Sequence, residues 1–354
     1  LSPQTGRGDS DSPTPQVPNS PTPQSTLWLR STKFGDDMDR VLRRKDGRLT
    51  YIASDVAYHK DKFNRPENAD KLITILGPDH HGYIGRLQAV LAAQMLGESQ
   101  SDVSNPSDRT DPTNLTYQTD LYDSPEEAAA CQAALAEARK KLHVQIYQLV
   151  RFMKDGKPAP MRKRDGNIYA LIDLIDEIGK KVKPSETQEE QRKVGKDVAR
   201  FFYLMRSHDT TFDFDLDLAE RQSDENPVFY VQYAHARICS ILKKAEGSMG
   251  GTPLETTSGT DVLKHPKELE LIKKICDLPH EVQRCAEDYG VHRLTTYAIE
   301  LARTFHHFYD ACRVIQEDQP ELTRARLALC TATRDALRST FKLLGIEAPE
   351  KMER

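Results

Sequence analysis

The sequence is poor in the features that would mark several classes of protein. Six cysteines are scattered over 354 residues (Cys131, Cys239, Cys276, Cys285, Cys312 and Cys330) with no Cys-x-x-Cys pair. That spacing argues against a disulfide frame or a thiolate zinc site and suits reduced thiols in a cytosol-like compartment. Aromatics make up 7% and tryptophan occurs once. No stretch approaches the roughly 20 apolar residues that a bilayer span needs, and mean hydropathy is negative, so a soluble chain is expected. Charge of one sign is also missing: the formal net charge is −4. No global polycation advertises nucleic-acid binding, and any RNA surface must be local. The chain opens on Leu1, without methionine or an apolar signal segment, which suggests a portion of something longer.

What is present falls into zones. Residues 1–26 are Pro, Ser, Thr, Gln and Gly with little to bury, and are expected to be a disordered tail. From Trp28 the sequence turns globular. "LTYIA" (49–53) has the look of a short strand, with Ser54 or Asp55 placed to cap a following helix. "KLITIL" (71–76) is a continuous apolar run of the kind buried on both sheet faces. After "GPDHHGY", residues 84–96 put Ile84, Leu87, Leu91 and Met95 on one helical face. Strand, loop and helix in this order suggest a βαβ unit. Polar insertions are expected near 97–127 and 180–194, with a helix over 126–141 between them. Leu171, Leu174, Ile175 and Ile178 predict another helix with Gly179 as terminator.

Beyond 195 the alternation stops, apart from a short strand in "TFDFDLDL". Val231, Ala234, Ile238 and Ile241 form one stripe. Leu294, Ala298, Leu301, Phe305, Phe308, Cys312 and Ile315 form another, and Cys330, Thr333, Leu337, Phe341 and Leu344 a third, closed by Gly345. Long amphipathic helices with short connections mean a bundle. The expected fold is therefore α/β plus all-α, a partial doubly wound, Rossmann-like domain followed by a helical bundle.

Four groups of residues carry chemistry. Asp79, His80 and His81 sit where a parallel strand ends and a helix begins, which is where open α/β sheets bind ligands. Metal ligation, acid–base work and a nucleotide-contacting turn are all open to them. Zinc recedes, because adjacent histidines on a tight turn rarely converge on one ion and no third ligand has sensible spacing. Position alone is equally consistent with a turn held by its own hydrogen bonds. Arg162, Lys163 and Arg164 stand beside a turn at Asp165-Gly166 and suit a polyphosphate, although a lone basic triplet is more often a solvated loop. Tyr51 and Asp55 lie four apart at a strand-to-helix junction, where a carboxylate pairs bidentately with a guanidinium; the plainer alternative is a capping Asp with half-buried tyrosines. Tyr230, Tyr233 and Arg237 share a face distinct from the apolar stripe, either a platform for unpaired bases or a helix–helix seam.

Taken together, five runs resemble the bacterial-type arginyl-tRNA synthetases, a class I aminoacyl-tRNA synthetase family. They are "LWLRSTKFGDDMDRVLRRKDGRLTYIASDVAYHKDKF", "GPDHHGYIGR", "PAPMRKRDGN", "DVARFFYLMRSHDTTFDFDLDLAERQSDENPVFYVQYAHARICSIL" and "RDALRSTFKLLGIEAPEKM". The combination, in this order, covers most of residues 27–354 outside the insertions. The resemblance implies a ligase that makes arginyl-tRNA from L-arginine, ATP (with Mg²⁺) and tRNA(Arg) through an arginyl-adenylate. Carried over by position, it implies that Tyr51 and Asp55 hold the substrate arginine. Gly77, Asp79, His80 and His81 become adenylate-side residues. Met161, Arg162 and Lys163 match the second class I signature loop, with Lys163 as its phosphate-stabilising lysine. Tyr230, Tyr233 and Arg237 fall in the anticodon-binding region. It further implies residues 27–206 as catalytic-domain sequence, 207–221 as a connector and 222–354 as a helical anticodon-binding domain. A monomer with no membrane association is implied, in the cytoplasm or in an organelle such as a plastid or mitochondrion.

Two departures stand out. Arg162 replaces the usual serine of the signature loop, and no His-x-Gly-His, the first class I signature, occurs in the chain. The expectation is a truncated portion that is inactive alone, since half a nucleotide site lacks positioned transition-state contacts. The alternative is a shortened synthetase-like protein that binds tRNA or partners without catalysis.

Overall fold

The computed structural model describes residues 25–66, 69–96, 122–159, 170–248 and 260–352. The chain divides after Ile146 into two compact units. No helix among the described residues is long and apolar enough to cross a membrane.

In the first unit, β1 (Leu27–Leu29) pairs antiparallel with β2 (Arg40–Arg43). The predicted strand at 49–53 is not there. Leu49 makes only an isolated bridge to Arg43, and α1 already starts at Tyr51 and runs to Phe63. The cause is Thr50, whose N–H bonds the Leu42 carbonyl at 2.9 Å while its hydroxyl donates to the Val41 carbonyl at 2.5 Å. Held extended by β2, the chain turns helical one residue later. Ile52, Val56 and Phe63 then face the core at helical spacing. Ser54 and Asp55 consequently lie inside the helix and do not cap it.

β3 (Leu72–Leu76) leads through a short 3₁₀ turn (Pro78–Tyr83) into α2 (Ile84–Met95). After the insertion, α3 (Pro125–Lys141) opens on Ser124, whose hydroxyl accepts from the Glu127 N–H at 3.2 Å. β4 (Leu142–Ile146) then returns parallel to β3, with Leu72 opposite Leu142. Small residues let α2 and α3 approach: Ala89, Ala92 and Ala93 on one, Cys131, Ala134 and Ala138 on the other, all buried. The expectation that "KLITIL" is buried on both faces fails. Leu72 enters the core, but Ile73 and Ile75, whose side chains alternate to the other face, are 48% and 65% exposed. That second face is thus only partly covered.

The second unit has a small sheet in the order β6-β5-β7. β5 (Val150–Lys154) and β6 (Lys157–Pro158) form a hairpin around Asp155 and Gly156, both at positive φ as a two-residue turn of this hand requires. β7 (Phe212–Asp215), the strand expected in "TFDFDLDL", pairs parallel with β5. Two further expectations need correction. Gly179 does not end its helix: α4 runs from Leu171 to Val182. Residues 180–194 are largely helical, since α4 ends at Val182 and α5 (Gln188–Leu204) starts within them on a reciprocal cap. There the Glu190 N–H donates to the Thr187 hydroxyl at 3.3 Å and the Thr187 N–H to the Glu190 carboxylate at 3.2 Å.

Gly179 and Gly195 are where α4 and α5 touch. A Cβ on Gly179 would fall 2.0 Å from the Gln191 carbonyl oxygen, and one on Gly195 2.0 Å from that of Ile175. A short α6 (Leu216–Ala219) precedes the helical bundle proper. The bundle consists of α7 (Pro227–Ser248), α8 (Pro266–Cys276), α9 (Leu278–Asp288), α10 (His292–Ala311) and α11 (Pro320–Leu344). The three apolar stripes meet as predicted: Val231, Ala234, Ile238, Leu301, Phe305, Phe308, Leu337 and Phe341 are buried in one core. Gly345, at φ +69°, ends α11 in the left-handed conformation that favours glycine. The chain then folds back along α7. The Glu347 N–H donates to Asp197 at 3.0 Å, Gln232 donates to the Glu347 carbonyl at 3.0 Å, and the His235 ring lies 2.9 Å from the Pro349 carbonyl.

Candidate functional sites

The first unit contains a cleft of about 1020 Å³ built on the junctions just described. Because Thr50 fixes where α1 begins, Tyr51 and Asp55 lie one turn apart on the same helical face, and both line the cleft. Tyr51 is 93% exposed. The turn after β3 supplies the opposite wall. Its backbone closes with the His80 N–H on the Gly77 carbonyl at 3.1 Å, which brings His80 and Tyr83 to the cleft. The two rings meet edge-on, 6.0 Å apart.

The structure thus brings together Tyr51, Asp55 and His80 of the predicted residues. Gly77, Asp79 and His81 are exposed and are not among the residues lining the cleft. Met161, Arg162 and Lys163 lie outside the described residues.

Sequence reading missed two kinds of neighbour. Tyr83 donates its hydroxyl to Asp55 Oδ2 across 28 residues of sequence. Burial and then the Asp55 carboxylate push its phenol up to about 12, so it remains a proton donor at neutral pH. The Arg86 guanidinium lies over the Tyr83 ring, 4.8 Å from its centre. Arg40, Arg44 and Arg48 also line the cleft. Arg40 is committed to Asp36 in a fork at 2.8 and 2.9 Å, and Arg48 to Asp46 at 2.7 Å. The signal was available: Tyr83 and Arg86 close the same "GPDHHGYIGR" run, and "RRKDGR" holds two of the others. What the sequence lacks is the fold that turns them inward. Asp55 is the single carboxylate among the cleft-lining residues; of the four arginines there, Arg40 and Arg48 are already paired with aspartates outside the lining, which leaves Arg44 and Arg86 to give the wall its positive balance. Such a cleft suits a ligand with one cationic end and anionic character elsewhere.

The second unit holds a cavity of about 670 Å³ against α7 and α10. Tyr233 and Arg237 line it together with Lys244, Tyr309, Arg313 and Met352. Arg237 lies over the Tyr309 ring at 4.3 Å. Tyr230 and Tyr233 both pack against His306 of α10, their ring centres 5.3 and 6.3 Å away. Of the two sequence readings of this face, the geometry speaks to the seam: Tyr230 packs in it, while Tyr233 and Arg237 are seam on one side and cavity wall on the other. Three cations and one carboxylate, Asp310, give the wall a positive balance beside two aromatic rings, the composition that accepts unpaired bases.

Residues 231–352 match the DALR anticodon-binding domain family. Over 92% of its length the chain is 40% identical to an arginine–tRNA ligase of Symbiobacterium thermophilum, and over 93% it is 42% identical to one of Heliobacterium modesticaldum. Each match takes in 48% of the relative, so the chain spans about half the length of the curated relatives it matches. A structure described as a putative arginyl-tRNA synthetase of Campylobacter jejuni superposes with a TM-score of 0.66 at 28% identity, covering 92% of this chain and 57% of that one. The Thermus thermophilus arginyl-tRNA synthetase, at 22% identity and a TM-score of 0.62, covers 92% of this chain and 54% of its own, and shares the fold. In sequence and in fold, the chain is similar to about half of an arginyl-tRNA synthetase, the part that ends in residues matching the DALR anticodon-binding domain.

Proposed function

We propose that this chain contributes the arginine-binding side and the anticodon-binding side of an arginine–tRNA ligase. The observation that carries the reading is the first cleft, where Tyr51 and Asp55 stand together with Asp55 as the lone carboxylate among arginines. A guanidinium binds a carboxylate through two parallel hydrogen bonds, a match an ammonium cannot make. L-arginine would place its side chain on Asp55 beside the Tyr51 ring. Its carboxylate, or the phosphate of an adenylate, would then face the arginine-rich wall. His80 contributes to that wall, and Gly77, Asp79 and His81 belong to the same turn. The loop residues Met161, Arg162 and Lys163 are assigned to the phosphates of ATP, the nucleotide substrate brought with Mg²⁺. Little covalent work falls to the protein in adenylate formation; positioning and charge stabilisation dominate.

In the second unit, Tyr233 and Arg237 are assigned to unpaired bases of tRNA(Arg), with Tyr230 holding the seam behind them. The matched DALR family over these residues supports that assignment.

Equilibrium titration tests both halves. L-arginine should bind the chain and L-lysine bind far less, and Asp55→Asn should abolish the arginine signal. An anticodon stem-loop of tRNA(Arg) should bind with a salt-dependent affinity that Arg237→Ala weakens by about tenfold. Arginine binding that survives Asp55→Asn removes the first assignment, and stem-loop binding indifferent to Arg237 removes the second.

A further inference from the structure

The carboxylate that meets the guanidinium is itself held by a residue no motif singled out. Asp55 lies half-buried on the cleft side of α1, where an untethered carboxylate could still rotate among several orientations. Only one plane presents both oxygens to a guanidinium fork, so an unrestrained side chain loses binding energy to ordering. Tyr83 removes that freedom. Its hydroxyl is donated to Asp55 Oδ2, which leaves Oδ1 and the second lone pair of Oδ2 for an incoming ligand. Tyr83 is in turn fixed from three sides. Its ring packs against the buried core of the unit, the Arg86 guanidinium covers one face, and His80 meets it edge-on. The tether therefore runs from the core to the carboxylate through a rigid phenol.

We propose that Tyr83 is a positioning residue that fixes the plane of the Asp55 carboxylate and so sets the preference for a planar guanidinium over an ammonium. The inference rests on the reading of Asp55 as the guanidinium-binding group. Lysine needs only a point charge and gains little from a fixed plane, whereas arginine gains a second parallel hydrogen bond. Arg86, stacked on the same ring, keeps the phenol from swinging out when the cleft is filled.

The test uses the full chain and four titrations: L-arginine and L-lysine against Tyr83→Phe and against Asp55→Asn, each compared with the unaltered chain. Tyr83→Phe removes one oxygen and keeps the ring. Arginine affinity should fall by about tenfold, with lysine affinity unchanged, so that the arginine-to-lysine ratio falls by the same factor. The ¹⁵N resonances of bound guanidinium-labelled arginine should lose their two-site inequivalence in Tyr83→Phe, while the melting temperature stays near that of the unaltered chain. An unchanged ratio in Tyr83→Phe overturns the inference, as does an equal loss for both amino acids accompanied by a drop in melting temperature. Failure of the unaltered chain to bind arginine, or undiminished binding in Asp55→Asn, overturns the underlying reading and the inference with it. If Asp55→Asn abolishes binding and Tyr83→Phe leaves it untouched, the reading stands and only the role of Tyr83 falls.

Discussion

The two units weight their side chains differently, although both expose some large apolar groups and both bury some polar ones. The first leaves large apolar groups in water, with Ile73, Ile75, Leu49 and Tyr51 all exposed, and gathers its charged groups around an open cleft. The second takes charged and polar groups inside and pairs them. Glu268 is buried and accepts from Arg326 at 2.7 Å, and Asp197 is buried between Gln232 and the Glu347 N–H. Asn226, wholly buried, caps α7 by accepting from the Val228 N–H at 3.1 Å. The lesson concerns where function and stability sit. In the second unit, polar residues far apart in sequence lock the bundle. In the first, the buried Lys33 makes one such lock with Glu127, while Asp55 faces an open cleft.

The sharpest way to break this contrast is through glycine. In the second unit, Gly195→Val puts a side chain into the carbonyl of Ile175, backbone that cannot step aside. Separating α4 from α5 uncovers Leu174 and Ile178, and the loss should exceed about 3 kcal/mol, beyond the usual range for overpacking. In the first unit, Gly77→Ala meets nothing within 4 Å and keeps a negative φ. Chemical denaturation should show Gly195→Val unfolded or severely weakened and Gly77→Ala within about 0.5 kcal/mol of the unaltered chain. Comparable losses in both would erase the distinction.

Next in size is the buried ion pair. Glu268 serves twice, accepting from Arg326 and from the His265 N–H at 2.9 Å as the N3 partner of the α8 cap. Glu268→Ala strands the Arg326 charge and should cost about 3–5 kcal/mol. Glu268→Gln keeps one carbonyl oxygen, so one of the two donors stays bonded while the other meets the amide NH2; it should cost less than Glu268→Ala without being neutral. Equal losses would show that charge, not hydrogen bonding, holds the pair.

Asp197 gives the second unit a pH dependence of its own. Burial raises its carboxyl to about 6, against hydrogen bonds from the Glu347 N–H and Gln232 that lower it. The folded chain therefore holds this proton more tightly than the unfolded chain. Its contribution to stability is full below pH of about 4, the ordinary carboxyl range, and is lost as pH rises through about 6. Asp197→Asn keeps acceptor and shape without the charge. It should stabilise the chain at pH 8 by on the order of 2 kcal/mol and change little at pH 4. Melting curves across that range check the sign, and stabilisation that is the same at both ends would remove Asp197 as the cause.

How much of this was legible beforehand follows the same division. The bundle was readable because its stripes are long and regular: Leu294 to Phe308 and Thr333 to Leu344 repeat often enough to fix helix, face and burial together. The first unit was readable only as a motif. Tyr51, Asp55 and His80 line one cleft while Gly77, Asp79 and His81 of the same runs do not, and "LTYIA" reads as a strand because β-prone residues outvote one threonine whose partners, Val41 and Leu42, lie in another strand. Gly179 was misread as a helix end for a related reason. A glycine that admits a neighbouring helix and a glycine that ends its own look alike until the partner is in place. Tyr83 carries no signal of its role in the sequence, since its hydrogen bond spans 28 residues and leaves no periodicity.

The smallest effect probes the partly covered face of β3. Ile75 is already 65% exposed, so replacing it with threonine removes little apolar area from shelter. Threonine is also a good strand former, and the backbone pairing of Ile75 with Gln145 needs no particular side chain. Ile75→Thr should thus shift stability by less than about 0.5 kcal/mol, the range for surface positions. The same change at Leu72, on the covered face of the same strand, should cost several times more, because that side chain enters the core. Two residues three apart in one apolar run would then differ in energy as they differ in burial. A loss at Ile75 matching that at Leu72 would mean that this face is covered in solution, and that the openness of the first unit is not a property of the chain in water.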